Sequence, residues 1–228
     1  MTQQHHRALL PALARCIPRD GVVLDIGAHA GQFTKLFAGL AADGRVYAVE
    51  PGSYARAILR AAIWARRLGN VAVLPVALGA EPGLETLNLP VKASGAVGFG
   101  LSHFGGAEAR WPRVATELVA QTTVDILAAS LRLDRLDFVK ADIEGGEMRM
   151  LEGACRTIER FRPRLLLELT DAHLARAGDT LAAAFAWLAA RGYRAFVLDE
   201  LGAFEAVAAP RDGDFWFLPA EDPLVAGR

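Results

Sequence analysis

Val22-Val23-Leu24-Asp25-Ile26-Gly27-Ala28-His29-Ala30-Gly31 is the stretch that decides the fold. Four β-prone residues with one acid, Asp25, near their end run into Gly-x-x-x-Gly, after which Gln32 to Ala41 has the apolar spacing of a helix. A buried strand that turns on glycines into a helix is the first half of a βαβ unit. Glycine has no Cβ to hold a ligand off the backbone. The first turn of the following helix points unpaired N–H groups into the same space. In open α/β sheets that crevice, at the C-terminal ends of the strands, is where ligands bind.

The same alternation continues outward. A helix is expected at Gln4–Cys16, within residues 1–18. After the first unit, Asp43-Gly44 turns the chain into a second strand, Val46–Glu50, closed by Pro51. A helix from about Ser53 to Leu68 and a third strand, Val71–Ala77, follow. The middle differs: 79–112 is rich in Gly and Pro, with short alternating strands expected at Leu84–Leu89 and Glu117–Thr123. The glycine-rich stretch 92–112 has the length and composition of a lid or binding loop. Regular order then resumes with a helix at Val124–Leu131, a strand at Asp137–Ala141, a helix at Glu147–Phe161 and a strand at Arg164–Leu169. A helix at Thr180–Arg191 and strands at Tyr193–Leu198 and Asp214–Leu218 complete it. Strands alternating with helices predict an α/β fold with a mainly parallel sheet and helices on both faces. No linker or repeat divides the chain, so 1–228 reads as one domain with 79–123 inserted.

Composition narrows the partners. The chain has 228 residues, and 25 basic against 26 acidic side chains leave a net charge of -1. Nucleic acid and anionic membranes normally demand a basic excess, so neither is expected as a partner. A spanning helix needs about 20 apolar residues. The longest comparable run, Val71–Ala80, is broken by Pro75 and Gly79. The first residues lack the apolar core and cleavage pattern of a secretory signal. Cys16 and Cys155 have neither metal nor redox spacing, which fits a reducing cytoplasm.

The turn also selects a ligand. A dinucleotide fold places glycine at the first position of Gly-x-Gly-x-x-Gly to admit a pyrophosphate; here that position is Asp25. An acid there repels phosphate and suits a cation such as the sulfonium and α-amino groups of S-adenosylmethionine. Glu50, nineteen residues after Gly31 at the end of the second strand, is placed to accept hydrogen bonds from a ribose diol. The plainer alternative is a tight βα turn whose strand-end acid caps the helix.

A second cluster is Leu136-Asp137-Phe138-Val139-Lys140-Ala141-Asp142-Ile143-Glu144-Gly145-Gly146-Glu147. Lys140 and Asp142, two apart on a strand, share a face. Charges in a buried parallel strand need partners, and Glu168, the lone charge of Leu165–Leu169, is expected to pair with Lys140 if the fourth and fifth strands are neighbours. Glu147 reads as an ordinary first-turn acid. Asp142, Glu144 and Glu168 could alternatively hold a hard cation, although their spacing does not demand it.

Together the two clusters resemble the FkbM family of S-adenosylmethionine-dependent methyltransferases. The likeness rests on Leu24 to Gly31, Val49-Glu50-Pro51, Ala77-Leu78-Gly79, Phe138 to Glu147 and on to Ala154, Arg162-Pro163-Arg164 before Leu167-Glu168, Gly192-Tyr193-Arg194 and Phe215-Trp216-Phe217. It spans about residues 20–220, and Lys140-x-Asp142-x-Glu144-Gly145 is its specific part. The resemblance implies a Rossmann-like class I fold, a seven-stranded sheet in the order 3-2-1-4-5-7-6 with the last strand antiparallel. It implies O-methylation of a small molecule, natural product or sugar, with a small-molecule or glycan acceptor as partner; the sequence leaves the oligomeric state open, a homodimer included. Gly27, Ala28 and Gly31 would cradle the methionine part beside His29 and Phe33. Asp25 would anchor its amino group, Glu50 and Pro51 would frame the ribose, and Ala77 and Leu78 would line the adenine. Asp142 would lie near the methyl as the first candidate base, with Lys140 beside it and Glu144 and His173 next. His173 follows the fifth strand, either overhanging the crevice or as a loop residue. His29 stands where Asn is more usual. Two other readings remain: a non-catalytic adenosyl-binding protein and an NAD-linked enzyme.

Overall fold

The computed structural model describes residues 8–91 and 113–226. The glycine-rich stretch 92–112, expected to form a lid or binding loop, and residues 1–7 and 227–228 lie outside the described residues. Helix α1 (Leu10–Cys16) leads into β1 (Val22–Ile26), α2 (Gln32–Leu40), β2 (Arg45–Val49), α3 (Ser53–Ala65) and β3 (Val71–Leu74). Next come β4 (Ala77–Leu78), β5 (Gly83–Val91), β6 (Arg113–Thr122), α4 (Val124–Ser130) and β7 (Phe138–Ala141). Helices α5 (Glu147–Glu152) and α6 (Cys155–Phe161) precede β8 (Arg164–Leu169), α7 (Asp171–Ala177) and α8 (Leu181–Ala189). Strands β9 (Tyr193–Leu198), β10 (Phe204–Ala206) and β11 (Gly213–Pro219) finish the chain.

The main sheet has the order β10-β9-β11-β8-β7-β1-β2-β3. Strands β3, β2, β1, β7 and β8 are parallel, and β11 enters antiparallel between β8 and β9. Without β10 this is the expected seven-strand order. The eighth strand was not expected. It is short, and Phe204 explains it by packing edge-on against Trp216 at 5.4 Å and covering a core edge.

Alternation along β1 divides the core. Leu24 and Ile26 face a cluster with α5, α6 and α8, while Val23 faces the opposite cluster with α1 and α2. On the second face the rings of Phe37, Phe138 and Trp216 follow one another at 5.5 and 5.9 Å.

Four expected elements are corrected. The strand Val71–Ala77 is interrupted at Pro75, which has no N–H for a ladder. Ala77–Leu78 instead pairs in parallel with β6 in a separate three-stranded sheet, β4-β6-β5. There, β5 and β6 form one long antiparallel ribbon rather than short strands. The helix expected over Glu147–Phe161 breaks at Gly153-Ala154, where a Cβ on Gly153 would lie 2.1 Å from the Gly79 carbonyl oxygen. The segment after β8 is a helix, α7, and His173 is on it rather than in a loop.

Candidate active site

The parallel strands β1, β2, β7 and β8 all end on one edge, and there the two sequence clusters meet. Asp25 lies opposite Lys140 on β7 and Ala48 on β2. It is fully buried. Its Oδ2 accepts a 2.5 Å hydrogen bond from the Thr34 hydroxyl on α2. Its Oδ1 is buried with no hydrogen-bond partner among the described residues. Burial pushes this carboxyl above its usual range, against the pull of Lys140 and Thr34.

The glycine turn is built by its neighbours. The N–H groups of Gly27 and Ala28 both donate to the Val49 carbonyl, tying the turn to β2. Gly27 has φ +73°, and a Cβ there would lie 1.9 Å from the Asp142 carbonyl oxygen. The sequence reading assigned this glycine to ligand approach; the structure shows that β7 already demands it. Gly31, at φ +80°, similarly clears Leu59 of α3. His29 sits at φ +50°, and its backbone N–H donates to Glu50 Oε2 at 2.8 Å. Glu50 Oε1 accepts from Gly52 N–H at 2.8 Å. Burial raises the Glu50 carboxyl, while these N–H groups oppose the shift. Each Glu50 oxygen thus keeps a lone pair for a further donor. The Pro51 carbonyl accepts from the Arg56 guanidinium.

Lys140 is buried, and its Nζ lies 3.2 Å from Asp142 Oδ2 and 5.1 Å from the centre of the Phe33 ring. Burial pulls the Lys140 ammonium down, but Asp142 and Asp25 outweigh it and hold it above its ordinary range. Burial likewise raises Asp142, and Lys140 outweighs it, leaving the carboxylate below its ordinary range. The expected Lys140–Glu168 pair is therefore corrected. Although β7 and β8 are neighbours, the register puts Leu166 opposite Lys140. Glu168 acts on Lys140 only through its charge, and its own carboxyl is pushed up to about 8 by burial first and then by the charges of Asp142 and Asp214.

Glu144 (φ +56°) turns away from this group. Its Oε2 lies 3.2 Å from His173 Nδ1 and 3.7 Å from Arg176, both on α7. These residues border a cavity of about 110 Å³ with Leu78, Gly145 and Arg149. Two candidate groups thus stand where one was expected: Lys140, Asp142 and Glu168 at the strand ends, and Glu144 with His173 beside them. Among the described residues no three His, Cys, Asp or Glu side chains are gathered closely enough for a metal ion. Ala77 packs against Leu87 and Val119 of the second sheet, and Leu78 joins the main core.

Three contributors escaped the sequence reading. Thr34 has an ordinary α2 position and only its contact to Asp25 gives it a role. Glu147 is buried and folds back to accept from Ile143 N–H at 2.8 Å and Gly145 N–H at 3.0 Å, stapling the loop that follows Asp142. Burial pushes its carboxyl up to about 7. Glu117 on β6 accepts from Ser53 N–H at 2.9 Å and from the Ser53 hydroxyl at 3.0 Å. This fastens the second sheet to the start of α3, next to Glu50.

A family model described as the methyltransferase FkbM domain matches residues 25–195. No curated protein matches the sequence. Among solved structures, methyltransferase FkbM from Methylobacillus flagellatus KT superposes with a TM-score of 0.56 at 20% identity, covering 88% of this chain and 44% of that one. The chain thus spans less than half of that relative's length. The O-methyltransferase from Bacillus cereus, solved in complex with SAH, gives 0.54 at 14% identity over 96% of this chain and 82% of its own. The fibrillarin pre-rRNA processing protein of Methanococcus jannaschii gives 0.52 at 15% identity over 90% and 68%. At these identities the superpositions establish the fold alone, and that fold serves proteins of different described roles.

Proposed function

This chain belongs to the FkbM methyltransferase family, and from that membership we propose that it methylates a hydroxyl of a small molecule, natural product or glycan, using S-adenosylmethionine. The observation that carries the reading is the carboxylate set at adjacent strand ends. Asp25 has a buried oxygen that lacks a donor among the described residues, and Glu50 keeps lone pairs on both oxygens. These acceptors fit a ligand with an ammonium group and a ribose diol, and they disfavour a pyrophosphate. When bound, the cofactor supplies a methyl group on a sulfonium, whose carbon–sulfur bond breaks with its electron pair kept by sulfur.

The chain's own residues have simple tasks in this scheme. The turn Gly27–Gly31 and the carboxylates Asp25 and Glu50 bind and orient, which brings the reactants into line. Asp142, held ionised by Lys140, accepts the hydroxyl proton. Phe33 covers the Lys140 ammonium and keeps water from it. Glu144 and His173, in contact with each other at the border of the neighbouring cavity, are assigned to the acceptor side. The reading also places the protein in the cytoplasm, in keeping with two cysteines that are both free thiols. Among the described residues no helix is long and apolar enough to cross a membrane.

Calorimetric titration with S-adenosylmethionine, S-adenosylhomocysteine and NAD⁺ tests the proposal. One-to-one binding of the adenosyl pair and none of NAD⁺ is expected. A screen of hydroxylated acceptors then follows, with methyl transfer as the readout. Binding of NAD⁺ alone, or of none of the three, overturns the reading. Adenosyl binding with no transfer to any acceptor class favours the non-catalytic alternative.

A further inference from the structure

We propose that the surface formed by α2 and the C-terminal end of α3 is a docking face for an anionic lipid membrane, on which the protein rests without crossing it. The inference does not depend on the methyltransferase reading.

The sequence prepares this face. From Pro51 to Ala80 there are four arginines, Arg56, Arg60, Arg66 and Arg67, and no acid. The net charge of -1 over the whole chain, which argues against such a partner, hides this local excess. Arg56 is used inside the fold, where it donates to the carbonyls of Glu50 and Pro51. The other three are exposed. Trp64 lies one turn after Arg60 on the same side of α3 and is 83% exposed.

Folding gathers these residues with Lys35 around an apolar floor. An open groove of about 700 Å³ is lined by Leu10, Leu36, Leu40 and Leu68, with Lys35 and Arg66 as its charged residues. A neighbouring depression of about 570 Å³ shares Leu68 and adds Ile63, Trp64 and Arg67. No acid lines either one. Among the described residues no carboxylate forms an ion pair with Lys35, Arg66 or Arg67. Asp43, the next acid after α2, is held by Arg19 at 2.5 Å. Burial, then the charge of Arg66, pulls the Lys35 ammonium below its ordinary range, as expected of two like charges with no anion between them. The groove beside α4 and α6 shows the contrasting case. There Arg132, Arg156 and Arg160 are interspersed with Asp125, Asp134 and Glu159.

The unbalanced charge calls for an anionic occupant, and the apolar floor selects lipid. Lysine and arginine are attracted to the negative surface of a bilayer. Arginine stems and an indole bury apolar surface at the headgroup level while their polar ends stay wet. Leucines between the cations suit acyl chains and offer nothing to the hydrogen-bonding edges of a nucleic acid. Leu40 and Leu68 stand just before β2 and β3 begin, so the face lies toward the edge where the parallel strands start. The candidate active site is at the edge where they end, and docking leaves it open.

Co-sedimentation of the full chain with vesicles of phosphatidylcholine, and of phosphatidylcholine mixed with phosphatidylglycerol, tests this. Binding to the anionic vesicles alone is expected, and it should weaken as salt is raised. Arg66→Gln and Arg67→Gln should each lower the partition coefficient roughly fivefold, whereas Arg132→Gln should leave it unchanged. Tryptophan emission should shift to the blue on binding, and the shift should vanish in Trp64→Phe. These substitutions are all at exposed positions, so unchanged melting temperatures verify that each variant keeps the fold. No binding to the anionic vesicles, equal binding to neutral ones, or binding that Arg66→Gln and Arg67→Gln leave intact overturns the inference. So does tighter binding of a single-stranded oligonucleotide than of the anionic vesicles, which would reassign the face to nucleic acid. None of these outcomes bears on cofactor binding, so the inference and the methyltransferase reading fail separately.

Discussion

The Asp142 carbonyl oxygen occupies the space that a side chain on Gly27 would need: a Cβ built there lies 1.9 Å away. The two sequence clusters are therefore locked together by a backbone contact before any ligand arrives. Gly27→Ala should cost on the order of 3 kcal/mol or more, since both a clash with backbone and a left-handed conformation must be relieved. Gly178→Ala is the control. It has a similar φ of +85° but open space around it, so it should cost only about 1–2 kcal/mol. Urea denaturation of both variants measures the difference, and equal losses would refute the contact's importance.

Lys140 is buried against Asp142, with Asp25 opposite it in the sheet. Lys140→Met keeps the bulk and removes the charge. It should destabilise the protein by roughly 3–5 kcal/mol, because removing one partner leaves charge buried without compensation. The exposed Arg19–Asp43 pair provides the contrast: Arg19→Met should be nearly silent. Thermal unfolding at pH 7 checks both, and a silent Lys140→Met would mean that the carboxyls are neutral in the native state.

Glu50 already accepts one backbone N–H on each oxygen. Glu50→Gln removes the anion and keeps one of the two acceptors, leaving one backbone N–H unpaired at a cost of about 1–3 kcal/mol that the fold should survive. Affinity for S-adenosylhomocysteine should fall roughly tenfold or more, from about 1.5–3 kcal/mol for hydrogen bonds to a charged group. Calorimetry on the variant decides this, with its melting temperature as the check on folding. Unchanged affinity would remove Glu50 from the ribose site.

Glu147 carries a carboxyl raised from 4.5 to about 7 in the folded protein. Between those values the native state binds more protons than the unfolded chain, so this group's contribution to stability falls as pH rises and levels off above about 7. Glu147→Gln removes that dependence. The melting temperature of the variant relative to the unsubstituted protein should therefore improve steadily from pH 4.5 to pH 7. A constant difference across that range would show that the Glu147 carboxylate is not destabilised by burial.

The alternation of apolar runs and helical segments determined the α/β class, and the family-specific segments supplied the strand order by resemblance. Alternation along β1 is local information: each residue's side follows from its place in the strand. The same locality explains why Asp25, Glu50, Lys140 and Asp142 were legible as a group, since all stand at strand ends that a parallel sheet aligns. Only the tertiary structure decided the partners. Glu168 does not stand opposite Lys140 because the β7–β8 register sets Leu166 beside the lysine, and register is a contact between segments far apart in the chain. Thr34 under Asp25, Glu117 at the start of α3 and His173 on α7 beside Glu144 are likewise long-range meetings. The Glu147 staple spans only a few residues, yet it exists because the loop is buried and its N–H groups must find an acceptor. Chain sequence prescribes the period of each element; which side chains meet follows from how those elements exclude water together.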